Sequence, residues 1–336
     1  MAHHHRKVAQ LRQAHIALGP RPVAASDTGI GGRTYYVSPS GSDSNSGTSP
    51  SDAWRTVAQA NRAHLNPGDG VLFQGGATFS DDTLMPGWGS DVSGRSQAPV
   101  VFGSYGQGKA ILPKGIWTKH ESYLVFQDFI LGPRQGLTGE GDHITLQNSA
   151  VHNLTRGSDT EYGIITYGSY YTLRDNTIDH TGDSGMQLNG DHYLVQNNTI
   201  TNTGQDPGVT YGTHGIYLKA ADSTLTGNTI TNFRDEGISV RYRDTVIADN
   251  TLRNGKYGLA FHQYDTLTAT SHWTNNTIAN TSIVGIYISP HDIGGSTHEN
   301  FVISGNSITG RRPAGDWKPW DFNTQSSVSR AANRVQ

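Results

Sequence analysis

No cysteine occurs among the 336 residues, which excludes disulfides and thiolate metal sites. No apolar run approaches the ~18 residues of a membrane span. The start, Met1-Ala2-His3-His4-His5, reads as an added tag, and nothing up to Ala25 has the apolar core of a signal peptide. A signal already removed would leave the same picture. Apolar residues make up only 34% of the chain, so one thick core is not expected. The formal net charge is −3, which gives no bulk attraction to nucleic acid or to an anionic membrane. Any anion must be held by a local cluster. The 15 His residues are scattered without metal-ligand spacing, and no phosphate-cradling loop or nucleophile elbow appears.

What the chain does have is glycine, 41 residues of it, and a repeat. One phrase recurs as Asn148-Ser149-Ala150, Asn176-Thr177-Ile178, Asn198-Thr199-Ile200, Asn228-Thr229-Ile230, Asn250-Thr251-Leu252, Asn276-Thr277-Ile278 and Asn306-Ser307-Ile308. Its spacings are 28, 22, 30, 22, 26 and 30 residues. A second phrase keeps step with it: Gly163-Ile164, Gly185-Met186, Gly215-Ile216, Gly237-Ile238, Gly258-Leu259 and Gly285-Ile286. A unit of 22 residues is too short for paired helices but suits one coil of short strands. Thr, Ile, Val and Tyr supply the strands, while Asn and Gly mark turns because they tolerate left-handed backbone. The expected fold is all-β, a single-stranded right-handed parallel β-helix. Stacked coils place each Asn above the last, where side-chain amides bond along the stack.

Residues 34–310 are expected to form the β-helix, with 34–99 as the N-terminal cap and first coils. Within the cap, Trp54–Leu65 reads as a short helix with Asp52 as its N-cap. Residues 1–33 and 311–336 lack the pattern and read as tails. The longer coils loop out at Leu154–Tyr162, Thr201–Thr213 and Pro290–Asn300, and insertions in a solenoid gather on a functional face.

Aligned on the glycine, the first and third following positions are apolar and face inward. The second and fourth then face outward. The second holds Ile165, Gln187, Tyr217, Ser239, Ala260 and Tyr287; the fourth holds Tyr167, Asn189, Lys219, Arg241, His262 and Ser289. Coils about 4.8 Å apart stack Lys219, Arg241 and His262 into a ladder of cationic groups. Such groups repel one another unless an anion lies over them. The competing reading makes Lys219 and Arg241 ordinary solvated residues paired with Asp222, Asp244 or Glu236. A groove for an anionic chain would be lined by Tyr167, Gln187, Asn189, Tyr217 and Glu236.

The opening Tyr35-Tyr36-Val37-Ser38-Pro39-Ser40-Gly41, followed by Trp54-Arg55-Thr56 and Asn66-Pro67-Gly68-Asp69, resembles the start of many secreted β-helix proteins. The repeats resemble those of the pectate-lyase-like superfamily, nearest to the alginate lyases and chondroitinase B. That resemblance implies a polysaccharide lyase acting on a uronate-containing glycan, in an extracellular or periplasmic location. It also implies a Lys base and an Arg on successive coils. Lys219 in Ile216-Tyr217-Leu218-Lys219 and Arg241 in Ile238-Ser239-Val240-Arg241 match that placement. Arg stays protonated, so Arg241 is assigned charge stabilisation, and His214, His262 or Tyr217 passes the second proton. Calcium-using members carry acidic ligands beside the Lys. Here the preceding segment ends at His214 without one, so no cofactor is expected, with calcium as the alternative. The partner is expected to be an acidic polysaccharide and the chain a monomer.

A glycoside hydrolase on the same fold needs two carboxyl groups about 5–9.5 Å apart. Asp183 and Asp235 are its candidate acids, with Glu236 and Glu161 nearby. A third reading is a β-helix that only binds glycan.

Overall fold

The computed structural model describes residues 28–85, 92–154, 161–209, 212–262, 269–289, 300–310, 318–322 and 328–335. Among them lie three stacked parallel sheets. Sheet A has 12 strands, from Thr34–Val37 to Val328–Ala331. Sheet B has 10, from Ala110–Leu112 to Arg334–Val335, and sheet C has 9, from Ile116–Thr118 to Lys318–Phe322. Each coil gives one strand to each sheet in turn, as Thr172–Arg174, Thr177–Thr181 and Met186–Asp191 do. The coil therefore pairs with the next coil and never with itself, which is why a short repeat can build a long sheet. No described helix is long and apolar enough to cross a membrane.

The interior is a set of single-residue columns. Ile164, Met186, Ile216, Ile238, Leu259 and Ile286 pair in register and are all fully buried. This is the interior column expected from the glycine phrase. Burying each such side chain contributes roughly 1.5–3 kcal/mol.

The Asn ladder is present. Each Asn accepts from both the backbone N–H and the side-chain amide of the Asn one coil earlier. Asn176 donates to Asn198 Oδ1 at 3.1 and 3.0 Å, Asn198 to Asn228 at 3.0 and 2.9 Å, and Asn228 to Asn250 at 2.9 and 2.9 Å. The second amide hydrogen caps a sheet A carbonyl of the preceding coil, as Asn228 Nδ2 does with Val195 O at 3.0 Å. The ladder runs on through Asn250, Asn276 and Asn306 to Asn333.

Several expectations need correction. Asn148 stands outside the ladder: Ser149 pairs in its place, donating its N–H to Asn176 Oδ1 at 3.0 Å. The left-handed position is the residue before each ladder Asn, here Asn148 (φ 46°), then Asp175, Asn197 and Asp249. The phrase glycines are not left-handed either. A Cβ at Gly215 would lie 2.5 Å from Gly237 O and 2.3 Å from Ile230 Cγ2, so close approach of coils is what requires glycine there. The helix of the cap, α1, covers only Val57–Asn61, and Thr56 caps it by accepting from Gln59 N at 3.0 Å. Asp52 instead ends a 3₁₀ turn and accepts from Ser46. Finally, the segment read as a C-terminal tail contributes the strands Lys318–Phe322, Val328–Ala331 and Arg334–Val335, one to each sheet. At the other end, residues 28–33 pack on the cap, with Arg33 N donating to Asp69 Oδ1 at 2.7 Å.

Candidate functional site

The outward face of sheet C carries the residues that the alternation singles out. Gln187, Tyr217, Ser239, Ala260 and Tyr287 form one row in strict register, and Asn189 pairs with Lys219 in the next. Arg241 lies one residue beyond its strand, yet its N–H still bonds Leu218 O at 3.0 Å, so it continues that row. His262 pairs with Ser289 further along. Several of these outward residues are nevertheless buried: Ser239 and Ala260 are 0% exposed and Ile165 7%. Neighbouring side chains therefore cover the middle of the face.

Three side chains meet there. Tyr217 is half-buried, and its hydroxyl accepts from Arg241 Nε at 3.0 Å. Lys219 Nζ stands 4.5 Å from the centre of the same ring, and the Arg241 guanidinium 5.1 Å from it. Two cations therefore share one phenol, a favourable contact for each that also fixes the ring. No described residue forms an ion pair with Lys219, and none of Asp222, Asp244 or Glu236 is the partner that the structural reading of its charge requires.

Beneath this triad lies a buried acid. Glu236 is 8% exposed, and its Oε1 is 2.9 Å from His262 Nε2. Its Oε2 is 3.4 Å from His214 Nδ1. Burial alone would raise the Glu236 pKa. The hydrogen bond from His262, the positive charge of His214 and His262 when they are protonated and the nearby Ser239 hydroxyl outweigh it and hold the carboxyl down at about 2. Burial pushes His214 down, and the adjacent Arg241 adds to that, while Glu236 opposes. His214 is thus kept toward its neutral form, with its ring 4.5 Å from that of Tyr217. His214 Nδ1, Glu236 Oε2 and Ser239 Oγ are buried without a well-aligned hydrogen-bond partner. Sequence reasoning placed Glu236 among the substrate contacts. Its two carboxylate oxygens lie against His214 and His262.

The remaining candidates lie around this centre. Asn189 donates to Thr166 O at 2.7 Å, Gln187 is half-buried beside Tyr217, and Tyr167 is 54% exposed at one end of the row. Asp183 and Asp235 both sit two residues before a phrase glycine, at the rim. Asp183 accepts from Ser184 Oγ at 2.9 Å. Asp235 is ion-paired to Lys256 at 2.5 Å and accepts from Thr213 N at 3.3 Å. Glu161 occupies the same rim column one coil earlier than Asp183, whose N–H bonds Glu161 O at 3.1 Å. Among the described residues no three His, Asp or Glu are arranged to hold a metal ion. Of the three loops expected to wall the groove, 155–160, 210–211 and 290–299 lie outside the described residues.

The repeat, the three parallel sheets and the ladder define a class, and the chain belongs to it: residues 136–308, just over half of the chain, match the family described as the right handed beta helix region. Among curated proteins, the lacto-N-biosidase of Bifidobacterium longum subsp. longum is 37% identical over 87 residues. That match spans 24% of this chain and only 5% of the relative. Among solved structures, the alginate lyase from Paenibacillus sp. str. FPU-7 superposes with a TM-score of 0.60 at 14% identity, over 90% of this chain and 99% of that one. The GH136 lacto-N-biosidase from Eubacterium ramulus gives 0.58 at 14% identity, over 90% and 68%. At such identities the structural likeness speaks for the fold.

Proposed function

We propose that the chain is a glycan-cleaving enzyme, and that the Lys219–Tyr217–Arg241 centre splits a uronate-containing polysaccharide by β-elimination. The observation that carries this reading is the single phenol held between two cations on adjacent coils. In the reaction the bond between the carbon α to the carboxylate and its proton breaks, and Lys219 Nζ takes the proton. The electron pair becomes a carbon–carbon double bond as the glycosidic C–O bond breaks, and the leaving oxygen takes a proton from the Tyr217 hydroxyl. Arg241 pairs with the uronate carboxylate, where negative charge develops, and a planar fork suits that group. Gln187 and Asn189 offer amides to neighbouring hydroxyls, and Tyr167 offers a ring for stacking. His262 stands beside the row, oriented by Glu236. A polymeric acidic substrate fits an extracellular or periplasmic site of action. The alginate lyase likeness supports this reading through shared architecture.

The lacto-N-biosidase match favours a second reading, hydrolysis by a pair of carboxyl groups. Asp183 and Asp235 are the acids available at the rim, but Asp235 is already neutralised by Lys256. Product analysis separates the two. Elimination leaves an unsaturated sugar with strong ultraviolet absorbance, whereas hydrolysis adds water and leaves none. Incubation with alginate, pectate, chondroitin and neutral polysaccharides should give absorbing ends from an acidic polymer alone. Cleavage without absorbance, abolished by Asp183→Asn or Asp235→Asn, replaces elimination with hydrolysis. Binding without any cleavage leaves a glycan-binding β-helix.

A further inference from the structure

Sheet A carries a second groove, on a different sheet from the Lys219 centre. It encloses about 430 Å³, and Thr28, Gly29 and Pro99 line it together with side chains of sheet A. In four consecutive coils the strand repeats one arrangement at alternate residues: a ring at the left-handed turn, a small or aliphatic residue, then an amide or guanidinium. The ring column is Tyr123, His143, Tyr170 and His192, stacked at 4.4, 4.5 and 4.6 Å. The polar column is Gln127, Gln147, Arg174 and Gln196, in register. In the next two coils the same positions hold Asp222 with Thr226 and Asp244 with Ala248, so the arrangement ends there. It covers three coil steps of about 4.8 Å, or roughly 14 Å along the stack.

We propose that this groove is a non-catalytic glycan-binding site that holds one polysaccharide chain along the helix axis. The polar column is already aligned: Arg174 donates to Gln147 Oε1 at 2.8 and 2.5 Å, Gln147 to Gln127 at 2.7 Å, and Gln127 to Thr28 O at 3.4 Å. The carboxamides of Gln127 and Gln147 are thereby fixed with capacity to spare, and Gln196 at the open end makes no side-chain hydrogen bond among the described residues. Primary amides and a planar guanidinium match paired sugar hydroxyls. The half-buried Val125 and Leu194 beside them suit sugar C–H faces. A peptide strand is disfavoured because the backbone groups of the floor are already used in the parallel ladder. Nucleic acid is disfavoured because, among the described residues, Arg174 is the one cationic side chain lining the groove. Two sites on one rigid rod keep a polymer near the catalytic face by raising its effective concentration there.

The test uses the full chain carrying Lys219→Ala, titrated calorimetrically with an alginate hexasaccharide and with xylohexaose. At least one probe should bind at two sites per chain. Adding Arg174→Ala with Gln196→Ala should weaken one site tenfold or more and leave the other unchanged. Thr145→Trp, which fills the floor without touching the amides, should do the same, and thermal melts check that both variants fold. Hydroxyl-radical footprinting should show Tyr123 and Tyr170 protected by the bound oligosaccharide. Binding that is indifferent to both variants, whether at one site per chain or at two, overturns the proposal, whereas a single site weakened by both variants upholds it and removes binding from the Lys219 face instead. A groove already protected in the free protein and unchanged by oligosaccharide also overturns it, because another occupant then fills it. The readout is binding, so it stands or fails apart from the chemistry assigned to Lys219.

Discussion

Glu236→Gln isolates the charge of the buried acid while keeping its shape. In the folded chain the Glu236 pKa lies at about 2, against an ordinary 4.5. At about 1.4 kcal/mol per pH unit, that difference corresponds to about 3 kcal/mol of stability at neutral pH. The folded value is the depressed one, so the contribution is complete above about pH 4.5 and is lost as the pH falls toward 2. The Gln variant carries no such charge. Wild type and variant should therefore differ by about 3 kcal/mol at pH 7 and by about 2 kcal/mol at pH 3.5, converging below that. Guanidinium chloride unfolding followed by circular dichroism at both pH values measures the difference. A gap under about 1 kcal/mol at pH 7, or one that does not shrink on acidification, refutes the idea that an ionised Glu236 is held between His214 and His262.

The other expectations follow from the same contacts. Lys219→Ala should abolish turnover while oligosaccharide binding survives in part, and full activity in this variant would remove Lys219 from the chemistry. Tyr217→Phe should lower kcat by roughly 10²–10⁴ with a smaller effect on KM, as loss of a proton donor does. Arg241→Lys should also impair kcat, because a compact ammonium cannot replace the planar fork that bonds the Tyr217 hydroxyl and faces the carboxylate. Asn228→Ala leaves Asn198 N and Val195 O buried without their partner and should cost about 3 kcal/mol or more in equilibrium unfolding. Gly215→Ala forces a Cβ onto Gly237 O and Ile230 and should cost about 1–3 kcal/mol, read as a lowered Tm.

The architecture was readable because inward positions obey a rule that each coil repeats. Asn needs the Asn of the next coil, glycine needs room for the next glycine carbonyl, and Ile needs Ile above it. The failures share a cause as well. Asn148 precedes a Ser that fills the ladder position, so matching the letter Asn misplaced the phrase by one residue. The final coil was missed because its phrase is reduced to Asn333-Arg334-Val335, although an Asn followed two residues later by an aliphatic was the available signal. In the cap there is no repeat, and the helix start depended on a Thr56 side-chain bond that competes with Asp52 on equal terms of residue type.

The site was legible only to the depth of one side-chain row. Strand alternation placed Tyr217, Lys219, Arg241 and His262 on one face, and the structure brings them there. Alternation cannot say which outward residues remain accessible, because that depends on contacts between neighbouring coils. Glu236 and His214 lie one coil apart, both just before a phrase glycine, and the strand register sets them side by side. Once adjacent, a buried carboxylate must find positive or donating partners, and His214 and His262 are the groups within reach. Among the described residues this leaves Lys219 without an acidic partner and Tyr217 as the shared contact of both cations. In a fold whose interior columns are nearly uniform, function is confined to the rows that can vary without breaking the stack. The outward rows that carry Tyr217, Lys219 and Arg241 are such rows, with two cations gathered on one ring.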